Sequence, residues 1–583
     1  MSNSTNPPAG DAVPSPGVPP ILARQRPVPD NQLDAAGNEA YKALFSLLQG
    51  NILKGHGRDF SANIFVEFSA SAEVVADWLQ AEALGITSAA TQLKESIQFK
   101  KFGIPGALFK NIYLTAHLYR YLDIAGIDTA FADPGTPGVP VLPQEANFLG
   151  GMKVAAPDLS DDLPAIEARQ DNGSAEPLEQ AYLEDRIHAL ILLADDDEGY
   201  LQRVTREFIT LFEAGNGVNG PLGTVLAVEL GKALRNDEDE GIEHFGYVDG
   251  RSQPLFLASD FKPLVLTDDG GIDVHKSREK INEKAKKKER GDIHIWNPFA
   301  SLDLVLLPDS LAGDANAFGS YFVFRKLEQD VLRFTMEEQN LADSLGLIGQ
   351  DRERAGAMAV GRFRDGTPLV LQSSDGMVPA KANNFRYDGL DAHLQPATAP
   401  GAASDEDGLR CPFHAHIRKT NPRQSTAPFT GPGPEEEQEK EDRKRRITRR
   451  GIPYGSREKA PDTFQALDDL PTGGVGLLFG CFQSSISHQF SFMQKTWVNN
   501  TGFKRAEVGE DPLIGQRADP DANPAQPQHW RAAYGEEEVM PDVEFPGTHP
   551  VAFAFSDFIK FRGGEFFFAP SLAFFRKLPG LLP

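Results

Sequence analysis

The sequence predicts an α+β fold made twice, and two observations carry that prediction. Strand–helix pairs recur in both halves of the chain, and 583 residues exceed what a single hydrophobic core ordinarily supports. In the first half, ANIFVEF at 62–68 alternates with a period of two and reads as a strand. SAEVVADWLQ then takes helical spacing, with Ser71 as its N-cap. The apolar run at 187–194 and the helical pattern ending at Gly215 form a second pair. In the second half GSYFVFRKLEQDVLRFTMEEQNLADSLG repeats the arrangement, as does GGVGLLFGCFQSSISHQFSFMQKTWVNN.

Between these pairs the composition shifts. Residues 1–36, rich in Pro, Ala, Gly and Asn without a period, are expected to form a disordered tail. Structure begins near Ala40, so 40–260 reads as an N-terminal unit and 293–583 as a C-terminal one, with an insertion at 430–446. The basic stretch 276–292 and the acidic-to-basic stretch 434–446 read as solvated surface insertions.

Composition excludes some functions. A net charge of −25 repels phosphate and argues against nucleic acid as a partner. Cys411 and Cys481 are too few for a disulfide framework or a four-cysteine metal site. No signal pattern occurs at the start of the sequence, and no run of about 18 apolar residues crosses a membrane. A cytoplasmic protein with no membrane partner is the simplest expectation, and a homo-oligomer stays open.

Three segments carry chemistry. In GIEHFGYVDGRSQP, Gly246 and Gly250 bracket Asp249 and let a flat ligand approach the main chain, although an Asp-Gly turn is the ordinary use of that dipeptide. In CPFHAHIRKTNPR, His414 and His416 stand among Arg418, Lys419 and Arg423. Imidazole is a good ligand for haem iron and arginines suit propionates, whereas a lone histidine is more often structural. On an extended segment the two histidines share a face, so parity does not choose between them. In ITRRGIPYG, Arg449 and Arg450 precede a turn, and an arginine in a closed pocket can stabilise negative charge without titrating.

Together, in this order, these segments resemble the dye-decolorizing peroxidases, and the likeness runs from LLQGNILKGHGR at Leu47 to GGEFFFAPSLAFFRKL. GYVDG matches that family's G-x-x-D-G signature. The resemblance implies two ferredoxin-like α+β domains of the dimeric α+β barrel-like superfamily, with one haem b per chain held mainly by the C-terminal domain. It implies a peroxidase that reduces hydrogen peroxide and oxidises bulky aromatic, dye-like or phenolic donors in one-electron steps; a non-catalytic haem-handling protein is the alternative. The long insertions look most like the large, mainly cytoplasmic bacterial branch. By the same resemblance His416, selected over His414 by HIRKTNPR, is the iron ligand. Asp249 is the distal proton shuttle and Arg449, rather than Arg450, the distal arginine. Arg418 contacts a propionate, and Leu477 and Phe479 wall the distal pocket. Tyr454 and Trp497 are candidate surface sites for electron entry. Asn500 lies near the segment where an acceptor for the ligand's second nitrogen is expected.

Overall fold

The structure, a computed structural model, describes residues 19–24, 27–35, 37–127, 131, 145–160, 179–182, 185–215, 220–261, 265–266, 272–273, 299–376, 385, 387, 405–423, 441–463, 465–517, 524–535 and 550–583. Strands β1 (Phe60–Phe68), β2 (Phe109–Leu114), β3 (Ala189–Asp195) and β4 (Gly223–Lys232) come from the first half. The second half supplies β5 (Phe318–Gln329), β6 (Thr448–Arg449), β7 (Ile452–Tyr454), β8 (Gly476–Gln483) and β9 (Ile559–Ala569).

Each half builds its own antiparallel sheet. In the first, β1 sits between β3 and β4, and β2 extends β3. In the second, β5 sits between β8 and β9, and β8 also pairs with β6 and β7. The two sheets meet through single pairs, Tyr454 with Gly231 and Phe568 with Leu114, and the resulting ring closes into a barrel without exposed central edges. Alternate residues point inward. Phe65 of β1 meets Phe324 of β5 with ring centroids 4.9 Å apart, although these strands are not neighbours, and Tyr113 meets Phe482 at 5.7 Å. The outward residues of the first half, Ile64, Ile191 and Leu193 among them, are buried under α1 (Ala72–Glu82) and α2 (Glu198–Ala214). Both strand faces are thus buried, which is why the run at 189–194 is continuously apolar and why the alternation read at 62–68 does not recur as alternating burial.

Local signals fall where the sequence places them. The Ser71 hydroxyl accepts from Val74 N, and α2 ends at Gly215. After β5 comes α3 (Val331–Ser344), its first turn capped by Asp330, whose side chain accepts from Arg333 N.

Three expectations need correction. The tail is not free throughout: Leu22 and Val28 are buried, and Val28 exchanges backbone hydrogen bonds with Phe256 and Ala258 at 2.8 Å, because apolar residues among the prolines find a groove on the body. The second charged insertion is solvated only in part. Asp442 and Arg446 are buried, and Arg443 and Arg446 both donate to the Phe299 carbonyl; 434–440, and all of 276–292, lie outside the described residues. Tyr454 and Trp497 are not at the surface. Tyr454 belongs to the barrel interior, and Trp497 is enclosed by Phe492 and Phe503.

Candidate active site

On the outer face of the second sheet a cavity of about 230 Å³ replaces the helical cover seen on the first. Its floor is set by strand alternation. Arg325, Leu327 and Gln329 of β5 face it, as do Leu477 and Phe479 of β8, which pair with Leu327 and Arg325 across the sheet. The intervening Phe324 and Leu478 turn into the barrel core.

Asp249 enters from the loop after β4. Gly246 has φ +88°, and a Cβ there would stand 3.0 Å from the Pro461 carbonyl oxygen, so only glycine fits the turn without displacing backbone. Glu243 braces the same turn, its carboxylate accepting from Phe245 N at 2.8 Å, Tyr247 N at 3.0 Å and the Gln329 amide. Burial, aided by the nearby charge of Asp249, pushes the Glu243 carboxyl up to about 7 against those donors. Asp249 Oδ1 accepts from Arg449 Nη1 at 2.9 Å and from Gly250 N at 2.6 Å. Its Oδ2 has no protein partner among the described residues. Arg449 is fixed in turn, with Nη2 donating to the Arg251 carbonyl at 2.6 Å. Arg450 points elsewhere and donates to the carbonyls of Asn51 and Ile52.

His416 opens the short helix α4 (His416–Thr420), and a turn at 412–415 precedes it, with Ala415 N bonded to the Pro412 carbonyl. That turn is why the two histidines diverge rather than share a face. His416 lines the cavity, and its Nδ1 stands 2.9 Å from Asp511 Oδ2, which fixes the ring and leaves Nε2 without a protein partner among the described residues. Asp511 is fully buried. Burial alone would raise its carboxyl, but His416 and the N–H groups of Ile514 and Leu513 outweigh it and hold the group below its usual range. Asn500 is not the acceptor. Its carbonyl instead takes a hydrogen bond from Lys419 Nζ at 2.8 Å, and Lys419 also donates to Val498 and Gly509, bracing the loop that carries Asp511.

His414 turns away and packs on Trp530 with centroids 4.2 Å apart. Burial drives its pKa down from 6.5 to about 3. A neutral imidazole in the fold and a protonated one in the unfolded chain mean that stability is complete above pH 6.5 and is lost as pH falls towards 3. One proton corresponds to about 1.4 kcal/mol per pH unit. Urea unfolding of His414→Phe across pH 7 to 4 should therefore show a shallower acid-side loss than the parent; parallel curves would refute the assignment.

Arg418 does not reach the cavity. Its side chain is 0 % exposed and forms an ion pair with Asp405 at 2.8 Å between the rings of Tyr387 and Phe413. The carboxylate of Asp405, thirteen residues upstream, has claimed it. Two arginines that sequence reasoning did not assign, Arg362 and Arg423, line the cavity instead. Burial pushes Arg362 down to about 9, with repulsion from Arg423 adding to it, and pushes Arg423 to about 10. Anionic groups in the cavity would relieve both. An imidazole with a ligand-ready nitrogen, apolar walls and two buried guanidinium groups together fit a haem and its propionates.

No family model matches the chain. A multifunctional dye peroxidase, DyP2, of Amycolatopsis sp. is 38% identical over 536 residues, 91% of this chain and 95% of that protein. The chain belongs to the dye-decolorizing peroxidase family. This family member is a haem peroxidase, and the solved structures agree. The DyP-type peroxidase of Anabaena sp. superposes with a TM-score of 0.73 at 33% identity, covering 95% of this chain and 97% of that one. The structure of DyP2 from Amycolatopsis sp. gives 0.71 at 36%, covering 95% and 99%. The ferredoxin-like α+β architecture is thereby shared along nearly the whole length.

Proposed function

We propose that this peroxidase binds one haem b per chain, that His416 Nε2 would hold its iron, and that Asp249 with Arg449 would work on peroxide in the same cavity. The observation that carries this reading is the convergence on one cavity of an imidazole oriented by a carboxylate and a carboxylate clamped by a guanidinium. When bound, haem supplies the iron at which the peroxide O–O bond is reduced and the store of oxidising equivalents that donors draw down.

The chain's own residues supply the proton chemistry. Asp249 Oδ2 accepts the proton of the incoming peroxide and returns it to the departing oxygen, while Arg449 Nη1 holds Oδ1 and offsets the negative charge that develops beside it. Leu477 and Phe479 keep that side apolar, which strengthens both interactions. Asp511 keeps His416 in the tautomer that presents Nε2. Arg362 and Arg423 take the propionates. A haem carrier would have no use for the Asp249–Arg449 pair, which favours turnover.

Donors are bulky aromatic, dye-like or phenolic molecules. The division at 40–260 and 293–583 belongs to the same proposal and is supported by the lining: 243–252 come from the first unit and most of the wall from the second. The cytoplasmic setting is supported by two buried, unbridged cysteines, and among the described residues no helix is long and apolar enough to cross a membrane.

Absorption spectra of haem-loaded His416→Ala and His414→Ala test the ligand. The first should lose the parental ligand-field bands and regain them with added imidazole; the second should keep them. The reverse pattern would transfer the ligand role to His414.

A further inference from the structure

We propose that a second, smaller cavity on the far side of the helix Glu353–Val360 binds an oxyanion, the phosphate or sulfonate group of a small molecule or the free ion. This site does not rest on the haem reading. It holds about 30 Å³, more than one water occupies, and is framed by Arg354, Arg410, Arg531, His529 and Tyr534. None of its lining residues is acidic. In a chain of net charge −25, three guanidinium groups around one small pocket with no carboxylate in its wall are a local reversal of sign.

Two of these guanidinium groups are incompletely hydrogen-bonded beside the cavity. Arg354 is 9% exposed; its Nη2 donates to the Ala532 carbonyl at 2.9 Å and its Nη1 stands 3.5 Å from Asp351, but its buried Nε has no acceptor. Arg410 lies over the Tyr534 ring at 5.8 Å, and its buried Nη1 also has no acceptor. Arg531 forms no ion pair among the described residues. The Tyr534 hydroxyl is already committed to the Leu369 carbonyl at 2.7 Å, so its ring serves as a wall. Buried guanidinium N–H groups left without acceptors carry a desolvation cost that charge-assisted bonds to an oxyanion remove, and the planar fork suits tetrahedral oxygens. Two elements serve both cavities: Val360 of the same helix lines the large one, and 408–412 leads into His416.

Calorimetric titration of the haem-loaded protein with inorganic phosphate at constant ionic strength tests the proposal. The expected result is one saturable site per chain, weakened about tenfold or more in Arg410→Gln and in Arg531→Gln, as loss of a charged hydrogen bond requires. Both variants should keep the parental haem spectrum, and Arg531→Gln removes no ion pair among the described residues. Competition by benzenesulfonate with equal or higher affinity would assign the site to the acidic end of an organic molecule, whereas binding of phosphate alone would assign it to the free ion. Absence of saturable phosphate binding, which would leave a water-filled pocket, or affinities unchanged in both variants, would overturn the proposal.

Discussion

Asp249→Asn is expected to slow the reaction of the haem-loaded protein with hydrogen peroxide by roughly 10²–10⁴-fold while leaving haem content and the resting spectrum unchanged. The amide preserves the shape of the side chain and can still meet Gly250 N, but it has no oxygen that accepts and returns a proton. Among the described residues the only other carboxylate lining the cavity, Glu243, is no substitute, since the N–H groups of Phe245 and Tyr247 and the Gln329 amide occupy it. Rapid mixing over a peroxide concentration series measures the bimolecular rate directly. A loss smaller than tenfold would remove Asp249 from the acid–base role.

Asp511→Asn should act from the other side. With His416 as the proposed iron ligand, a buried carboxylate 2.9 Å from its Nδ1 would make the imidazole a stronger donor to iron and stabilise the oxidised metal. Replacing its charge with an amide should raise the midpoint potential of the bound iron and weaken haem retention by roughly 10–100-fold. Spectroelectrochemical titration reads the first effect and competition for haem with apomyoglobin reads the second. An unchanged potential would show that the pair only orients the ring. The potential is the discriminating readout, because a merely structural defect does not move it in a defined direction.

Much of this arrangement is legible in the chain because it is written locally. The strand at ANIFVEF, the Ser71 cap and the stop at Gly215 depend on neighbours a few residues away, and each appears in the fold, although the period of two does not recur as alternating burial because both strand faces are covered. The glycine frame around Asp249 is legible for the same reason: a turn that requires positive φ at Gly246 and Gly250 marks its own residues. What depends on distant partners is not written in this way. Asp511 lies 95 residues beyond His416 and meets it only because Lys419 and the Val498 carbonyl hold that loop in place. Arg418 sits in the right motif, yet Asp405 claims it, and Arg362 and Arg446 reach the cavity from segments with no recognisable pattern. The choice between His414 and His416 likewise turns on a bend at 412–415 that periodicity does not anticipate.

The measurement that bears most directly on the central claim is a double-mutant cycle on the peroxide reaction with Asp249→Asn, Arg449→Leu and the double variant, each loaded with haem. Asp249 and Arg449 touch at 2.9 Å and are held to act as one unit. The double variant should therefore be no more than a few-fold slower than Asp249→Asn alone, the strong non-additivity expected of side chains that share one task. Losses that multiply independently would mean that the two residues serve separate steps, and single variants that both react at the parental rate would contradict the account outright.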